Sequence, residues 1–375
     1  IEKIIFKGLE LLPQNRYEYM TYLLWDFEQA MKSCTVSEDT IDKNTTSCGN
    51  IEQNVICYNC FCKLSETEGA CPNCGYDPTW GKEKYPLALP HGHILCDKYI
   101  LGRVLGQGGY GITYKGMDTR LDRVVAVKEY YPGFWVSRYA DRSKDVNCMR
   151  DAWESYEKGM ERFLDEAKTL ASLSDISEVV RVNDFFEENN TAYLVMDFLD
   201  GQNLKQMADG FGGRIPPEVL IPVLGPLIKA LGKIHQKGLI HRDISPDNIM
   251  MLPEGCMKLL DFGAVRDVGE AAVDKQLTKS TEAILKQGYA PIEQYQNRGS
   301  LGPWTDVYAL CATMYYCMTG EVPPDAPERL LGEEEIDFQG KIPELTSVQA
   351  ETLKQGMALR PQDRIVSVEE LCDRM

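Results

Sequence analysis

Three polar residues in the second half of the chain have side chains that suit one kind of chemistry. Asp243 and Asn248 lie five positions apart in the segment HRDISPDN, and Asp261 follows thirteen positions after Asn248, at the start of DFG. Phosphoryl transfer needs a carboxylate that orients and deprotonates the attacking hydroxyl, and oxygen ligands for the Mg²⁺ that bridges nucleotide phosphates. Asp243 fits the first role, and Asn248 and Asp261 fit the second.

A glycine-rich segment earlier in the chain could hold the phosphates. Its GxGxxG pattern is formed by Gly106, Gly108, Gly109 and Gly111. Glycine lets backbone amides approach phosphate oxygens that larger side chains would keep away. The pattern alone is a weak motif. In a dinucleotide-binding fold its last glycine would lead into a helix, whereas residues 112–114 are strand-like and residues 116–122 indicate a turn. The loop is therefore predicted to lie in a β-hairpin.

An apolar strand that ends in Lys128 follows the glycine-rich segment, and Lys128 lies seventeen positions after Gly111. The two features together are far more specific than the glycine pattern alone. Together these segments resemble the protein kinase family, and within it the bacterial serine/threonine kinases of eukaryotic type. The resemblance implies that Lys128 holds the α- and β-phosphates of ATP. It also implies a bilobal α+β fold, with an antiparallel sheet and one helix above a mainly helical lobe and nucleotide between them.

The resemblance also implies a carboxylate that pairs with Lys128. We predict Glu166 for this role, on an amphipathic helix over about residues 156–173, with Asp165 and Glu161 as the alternatives. Glu166 lies 38 positions after Lys128, which is longer than usual for the family. Residues 130–152 are therefore predicted to form an extra hairpin or loop.

Adenine is expected to bind where a buried strand runs into an exposed connector, over residues 193–201. By resemblance Met196 is the gatekeeper, and Asp197 and Leu199 are the hinge positions beside the base. An ordinary core role for Met196 is compatible with this prediction, because a gatekeeper is itself a packed side chain.

Two positions depart from the family pattern in a reciprocal way. Ser245 stands where kinases usually have a lysine, and Lys286 stands where they usually have a threonine that contacts the catalytic aspartate. We hypothesise that the two side chains are exchanged, so that Lys286 supplies the cation for the γ-phosphate and Ser245 supplies the hydroxyl. The alternative is that Lys286 is a solvated residue of the activation segment.

The activation segment contains further candidates. By resemblance, Arg242 of the HRD segment is typical of kinases whose activation segment a phosphate group can organise, because arginine pairs with phosphate in a bidentate fashion. The candidate phosphosites are Thr278, Ser280 and Thr281. By resemblance, Glu293 lies at the end of the activation segment and is predicted to pair with Arg364.

Two CxxC pairs separated by ten residues indicate a structural zinc site, formed by Cys57, Cys60, Cys71 and Cys74. Tetrahedral Zn²⁺ takes four thiolates at about 2.3 Å in such sites. Disulfides or a redox CxxC are the alternatives, and Cys62 is an additional thiol outside the set. Residues 51–81 carry one lysine against four acidic residues. We therefore expect no nucleic acid here, and predict a small module that docks a protein or ligand.

The patterns divide the chain into five segments. Apolar residues recur with a helical period between Arg16 and Lys32, which predicts an amphipathic helix. We predict an N-terminal helical segment (1–33), a linker (34–50), a zinc ribbon (51–80), a second linker (81–92) and a kinase domain (93–375). The N-lobe is predicted over 93–196 and the C-lobe over 201–375.

Bulk composition restricts the partners and the compartment. The net charge of −17 repels nucleic acid and anionic lipid at long range. No uninterrupted run of about eighteen apolar residues occurs, so no membrane segment is expected within the chain. The thirteen cysteines cluster rather than spacing out as a disulfide framework, which favours a reducing, cytoplasmic compartment. A membrane anchor beyond residue 375 stays open.

Three functions are open at this stage. The first is a serine/threonine protein kinase that uses ATP with Mg²⁺ or Mn²⁺ and autophosphorylates. The second is a nucleotide-binding pseudokinase scaffold that signals through the zinc ribbon, suggested by Ser245 and Thr113. The third is a small-molecule phosphotransferase, but the segment from Pro291 to Glu293 with Arg364 favours protein substrates. Since every catalytic position has a chemically competent side chain, we expect the first.

Overall fold

The computed structural model describes residues 55–64, 69–79, 84–138, 144–262, 266–267, 285–296, 299–332 and 336–375. The predicted N-terminal helical segment (1–33) and the linker 34–50 lie outside these residues. So do Thr278, Ser280 and Thr281.

The first lobe is built on a six-stranded antiparallel sheet with the order β1-β2-β3-β4-β8-β7. Its strands are β1 (Ile94–Leu95), β2 (Tyr99–Gly108), β3 (Gly111–Asp118), β4 (Arg123–Tyr130), β7 (Val182–Glu188) and β8 (Thr191–Asp197). Every second residue of β3 is buried, as expected for a sheet with one face covered. The GxGxxG segment forms the β2–β3 hairpin, as predicted.

One long helix, α1 (Trp153–Ser172), packs against this sheet. Its apolar residues recur at helical spacing, so that one face is buried. The residues buried on that face are Tyr156, Phe163, Glu166, Ala167 and Leu170. The helix lies close to the predicted range.

The predicted insert before α1 contains a short hairpin of β5 (Val136–Ser137) and β6 (Asn147–Cys148). Arg138 anchors it, because the guanidinium pairs with the buried Glu129 and Nη1 donates to the Leu87 carbonyl at 2.6 Å. A buried pair with this many hydrogen bonds fixes the insert to the sheet.

The second lobe is mainly helical. Its helices are α2 (Leu204–Gly210), α3 (Pro217–Gln236), α4 (Pro303–Thr319), α5 (Ala326–Leu330), α6 (Phe338–Lys341), α7 (Ser347–Gly356) and α8 (Val368–Arg374). The small sheets β12-β11-β9 and β10-β13 are formed by β9 (Gln202–Asn203), β10 (Leu239–Ile240), β11 (Ile249–Met251), β12 (Met257–Leu259) and β13 (Arg266–Asp267). Helix α4 is buried on nearly all sides, which makes it the centre of this lobe. The predicted bilobal α+β fold is confirmed.

A small cysteine-rich unit precedes the first lobe. Its own core consists of Cys57, Cys71 and Tyr76, which is too little apolar surface to fold a segment of this size unaided. Among the described helices, none has the length and apolar content needed to cross a bilayer.

Candidate active site

Glycine is present in the phosphate loop for two different structural reasons. Gly108 pairs with Gly111 across the β2–β3 hairpin. A Cβ at Gly111 would lie 2.4 Å from the carbonyl oxygen of Glu129, so this position requires glycine for packing. Cβ atoms at Gly106, Gly108 and Gly109 would meet nothing within 4 Å. That open space leaves the backbone of the loop accessible to a ligand.

The insert contacts the tip of this loop. The backbone N–H of Tyr131 donates to the Tyr110 carbonyl at 2.8 Å. The ring of Phe134 packs edge-on against that of Tyr110, with 5.4 Å between centroids. The insert therefore restrains the loop, which the sequence did not indicate.

Lys128 lies on β4 between two carboxylates. Its Nζ is 3.2 Å from Oε1 of Glu166 on α1 and 2.8 Å from Oδ1 of Asp261. Burial acts to lower the pKa of Lys128, but the charges of Asp261 and Glu166 outweigh it and raise the pKa overall. Asp261 itself has a φ of 59°, a left-handed conformation that is uncommon outside glycine and often found at functional sites. The lysine therefore stays charged between the two carboxylates.

Asp243 and Asn248 lie together in the loop after β10. Nδ2 of Asn248 donates to the backbone oxygen and to Oδ2 of Asp243, each at 2.8 Å. The Asn248 amide oxygen is then the atom that can face a cation. Burial raises the pKa of Asp243, the charge of Lys286 lowers it, and the charge of Asp261 raises it. A raised pKa suits a carboxylate that takes up a proton.

A buried aspartate of α4 holds this loop in place. Asp306 accepts hydrogen bonds from the backbone N–H groups of His241 and Arg242 at 2.8 Å, and Oδ2 lies 2.8 Å from Nε2 of His235. Burial acts to raise the pKa of Asp306, but the contact with His235 helps to lower it overall. Sequence reasoning missed this role of Asp306. A charged residue in an otherwise apolar helix was the available clue.

Lys286 and Ser245, the two residues of the hypothesised exchange, are in contact. Nζ of Lys286 donates to Oγ of Ser245 at 2.7 Å and lies 3.4 Å from Oδ2 of Asp247. Ser245 is fully buried. Lys286 is thus held beside the catalytic loop rather than freely solvated.

The predicted hinge residues lie at the end of β8. Met196 pairs directly with Ala126 of β4, and residues directly opposite share one face of a sheet. Lys128 lies two positions after Ala126, so Met196 and Lys128 face the same side. Asp197 accepts a hydrogen bond at 2.8 Å from Asn183, and Leu199 packs against the main core.

The activation segment is closed by the predicted ion pair. Nη1 and Nη2 of Arg364 donate to Oε1 and Oε2 of Glu293 at 2.6 and 3.2 Å, with both side chains buried. This bidentate pair fixes the end of the segment against the second lobe.

The four cysteines of the CxxC pairs converge. Their Sγ atoms all lie within 4.8 Å of one another. A tetrahedral zinc site with bonds of about 2.3 Å places its sulfurs about 3.8 Å apart. The Cys57–Cys74 and Cys60–Cys71 sulfur distances are 3.6 and 3.7 Å, so the donor set and its size fit zinc. Cys62 is not remote from the cluster, since its Sγ lies 3.3 Å from that of Cys60.

Comparisons with known proteins agree with this arrangement. The protein kinase domain model matches residues 99–372. Serine/threonine-protein kinase PknL of Mycobacterium tuberculosis is 32% identical over 231 residues, which cover 61% of this chain and 51% of PknL. PknB of Mycobacterium leprae is 33% identical over 238 residues, covering 62% of this chain and 34% of PknB. Serine/threonine-protein kinase D of Synechocystis is 29% identical over 283 residues, which cover 74% of this chain and 51% of kinase D.

A solved structure described as the apo form of PpkA-294 is also similar. It is 32% identical with a TM-score of 0.68, and the match covers 77% of this chain and 99% of that one. The chain spans about half of PknL and of kinase D, and a third of PknB. Because the family model matches well over half of its residues, the chain belongs to the protein kinase family.

Proposed function

We propose that this chain is an ATP-dependent serine/threonine protein kinase that phosphorylates protein hydroxyls, including its own. One observation carries the proposal: Lys128 contacts Glu166 and Asp261 at the same time. Kinase activity requires both the Lys–Glu pair and the metal-binding aspartate to be in place. A domain that had lost catalysis would be under no requirement to keep these two contacts.

Asp243 is the proposed base. It orients the substrate hydroxyl and takes its proton as the oxygen bonds to the γ-phosphorus. The bond between that phosphorus and the β–γ bridging oxygen breaks, and ADP leaves. Asn248 holds the Asp243 carboxylate in position through its amide nitrogen, and burial raises the pKa of Asp243 toward that of an effective acceptor.

The proposed nucleotide site uses the phosphate loop, Lys128 and the hinge. Mg²⁺ or Mn²⁺, when bound, would neutralise part of the phosphate charge. Asp261 and Asn248 offer the hard oxygen ligands that such ions prefer. Adenine would lie against Met196, Asp197 and Leu199.

We further propose the exchange of Ser245 and Lys286. The cation that reaches the γ-phosphate then comes from the activation segment, and the catalytic loop contributes the hydroxyl that orients it. The 2.7 Å contact between the two side chains supports this arrangement. A preorganised charge at that point stabilises the charge that develops on the transferred group.

Zinc is the proposed occupant of the cysteine cluster, with a structural role. The packing of five thiols without a disulfide among them suits a reducing compartment, and we propose the cytoplasm. Protein substrates are the proposed partners.

The experiment is transfer of radiolabelled γ-phosphate to the protein itself and to a general protein substrate. We expect phosphoserine or phosphothreonine in the wild type and no label in Asp243→Asn. If the wild type binds Mg·ATP in calorimetry but transfers no label, the chain is a nucleotide-binding scaffold and the proposal fails.

A further inference from the structure

We propose that the first cysteine knuckle positions the adenine-binding hinge through Asn59. This residue connects a thiol of the cluster to two cations of the β-sheet, Arg103 and Lys115, and Lys115 covers Phe198 of the hinge. Filling of the cysteine site by zinc therefore strengthens nucleotide binding. The inference rests on the proposed function, because it assumes that a nucleotide binds against the hinge.

The side-chain amide of Asn59 contacts the cysteine cluster on one side and the β-sheet on the other. Its Nδ2 donates to Sγ of Cys74 at 3.5 Å. Its Oδ1 accepts from Nε of Arg103 at 2.8 Å and from Nζ of Lys115 at 3.5 Å. One short side chain thus joins the cysteine cluster to the sheet, and both the nitrogen and the oxygen of the amide are hydrogen-bonded.

The first cysteine knuckle packs directly against the β-sheet. The backbone N–H of Arg103 donates to the Tyr58 carbonyl at 2.8 Å, where β2 departs from regular pairing with β3. A Cβ at Gly102 would lie 2.2 Å from that same carbonyl oxygen. A Cβ at Gly92 would lie 2.9 Å from the Tyr58 hydroxyl. Both glycines permit a close approach that larger residues would prevent.

Lys115 carries the contact to the hinge. It pairs directly with Ala126, which pairs directly with Met196, so these side chains form one row on the face that also bears Lys128. Nζ of Lys115 lies 4.3 Å from the centroid of the Phe198 ring, within the range of a cation–π interaction. Phe198 directly follows Asp197, the last residue of β8.

The charges support dependence on the metal. Zinc with four thiolates carries a net charge of about −2, which favours the two cations beside it. Without the ion the four sulfurs are no longer bound to one centre, so this charge is no longer fixed beside the two cations. Arg103 and Lys115 then lie side by side, and Asn59 no longer has a fixed acceptor for its Nδ2.

The second knuckle offers a matched control. Nδ2 of Asn73 donates to Sγ of Cys60 at 3.5 Å, which repeats the contact of Asn59 in the first knuckle. Asn73 is exposed, and its amide oxygen makes no hydrogen bond to the described part of the kinase domain. Asn59→Ala and Asn73→Ala therefore remove the same bond to a thiolate, but only the first removes the contact with the sheet.

The test measures zinc content by mass spectrometry and Mg·ATP affinity by calorimetry in the full chain. We expect both variants to keep one zinc. Asn59→Ala should weaken Mg·ATP binding roughly threefold to tenfold, with a matching rise in KM and little change in kcat. Asn73→Ala should bind as the wild type does. A zinc-selective chelator should weaken binding to the wild type but add little to Asn59→Ala.

A double-mutant cycle tests the route. Combined with Lys115→Met, Asn59→Ala should cost less than the sum of the single changes, whereas Asn73→Ala should add independently.

Equal affinities for the two alanine variants, or simple additivity of Asn59→Ala with Lys115→Met, would overturn the inference while leaving the proposed function intact. If the wild type binds no Mg·ATP, the proposed function fails and this inference fails with it.

Discussion

Two lysines approach the proposed nucleotide site from opposite lobes, and they are held in different ways. Lys128 projects from the middle of the sheet, 17% exposed, between carboxylates at 2.8 and 3.2 Å. Lys286 projects from the activation segment, 34% exposed, and its shortest contact is with a neutral hydroxyl. The first position is determined by sheet register and charge, and the second by one short hydrogen bond to Ser245 and a longer contact with Asp247.

This difference separates a fixed charge from a conditional one. Lys128 keeps its position whenever the sheet and α1 are folded, because two charged partners hold it. Lys286 reaches the catalytic loop only when the segment that carries it is in place. If the exchange is correct, order in the activation segment controls the cation directly.

Removal of the fixed charge should have the largest effect. We expect Lys128→Met to lower kcat/KM by about 10³-fold, since it removes a preorganised cation from the phosphates and leaves Glu166 and Asp261 unopposed. The measurement is steady-state phosphorylation of a protein substrate. Lys168→Met is the control, because Lys168 pairs with Asp165 on the exposed side of α1. A comparable loss of activity in Lys168→Met would indicate that disturbance of α1, rather than loss of the Lys128 charge, lowers kcat/KM.

Removal of the conditional charge, that of Lys286, should have the second-largest effect. Lys286→Thr is expected to lower kcat by about 10²-fold with little change in Mg·ATP affinity, because the cation acts mainly on the transferred group. Ser245→Lys alone should be impaired, since it places two cations together. The double variant Ser245→Lys, Lys286→Thr should recover at least part of the loss. A double variant no better than Lys286→Thr would refute the exchange.

The two lysines also show what sequence can and cannot predict. Lys128, Glu166 and the phosphate-loop hairpin were predictable, because motif spacing and the helical or strand period are local properties. Reciprocal substitution indicated the exchange at Ser245 and Lys286. Asp306 was missed as the anchor of the catalytic loop, since that role exists only after α4 has packed beneath it.

The same limit applies to the cysteine-rich unit. Spacing alone predicted the four converging thiols. The contact of Asn59 with Arg103 and Lys115 depends on docking between segments far apart in sequence, which periodicity does not report. The resemblance to the kinase family likewise did not predict the contact between Phe134 of the insert and Tyr110 of the phosphate loop.

Removal of the hydroxyl that holds Lys286 should have a moderate effect. Ser245→Ala is expected to lower kcat roughly fivefold, the equivalent of about 1 kcal/mol for one hydrogen bond. Asp247 still lies 3.4 Å from the lysine and keeps it near the loop. Ser245→Thr, which retains a hydroxyl, is the control if the buried site accepts the methyl group, and its melting temperature checks that. Activity of Ser245→Ala equal to that of the wild type would separate Ser245 from the exchange.

The smallest expected effect is a shift in pH dependence. Burial raises the pKa of Asp243 and the charge of Lys286 opposes this, so activity is lost as pH falls through the raised pKa and the base becomes protonated. Lys286→Met removes the opposing charge, which disfavours the carboxylate further. The acid limb of the kcat profile should therefore move to higher pH.

Two controls make this shift specific to Lys286. Lys286→Arg keeps the charge, so its acid limb should stay near that of the wild type even if kcat falls. Lys128→Arg tests the other lysine, which contacts Asp261 rather than Asp243 and should move the limb little. If Lys286→Met and Lys286→Arg share one acid limb, the charge of Lys286 does not act on Asp243.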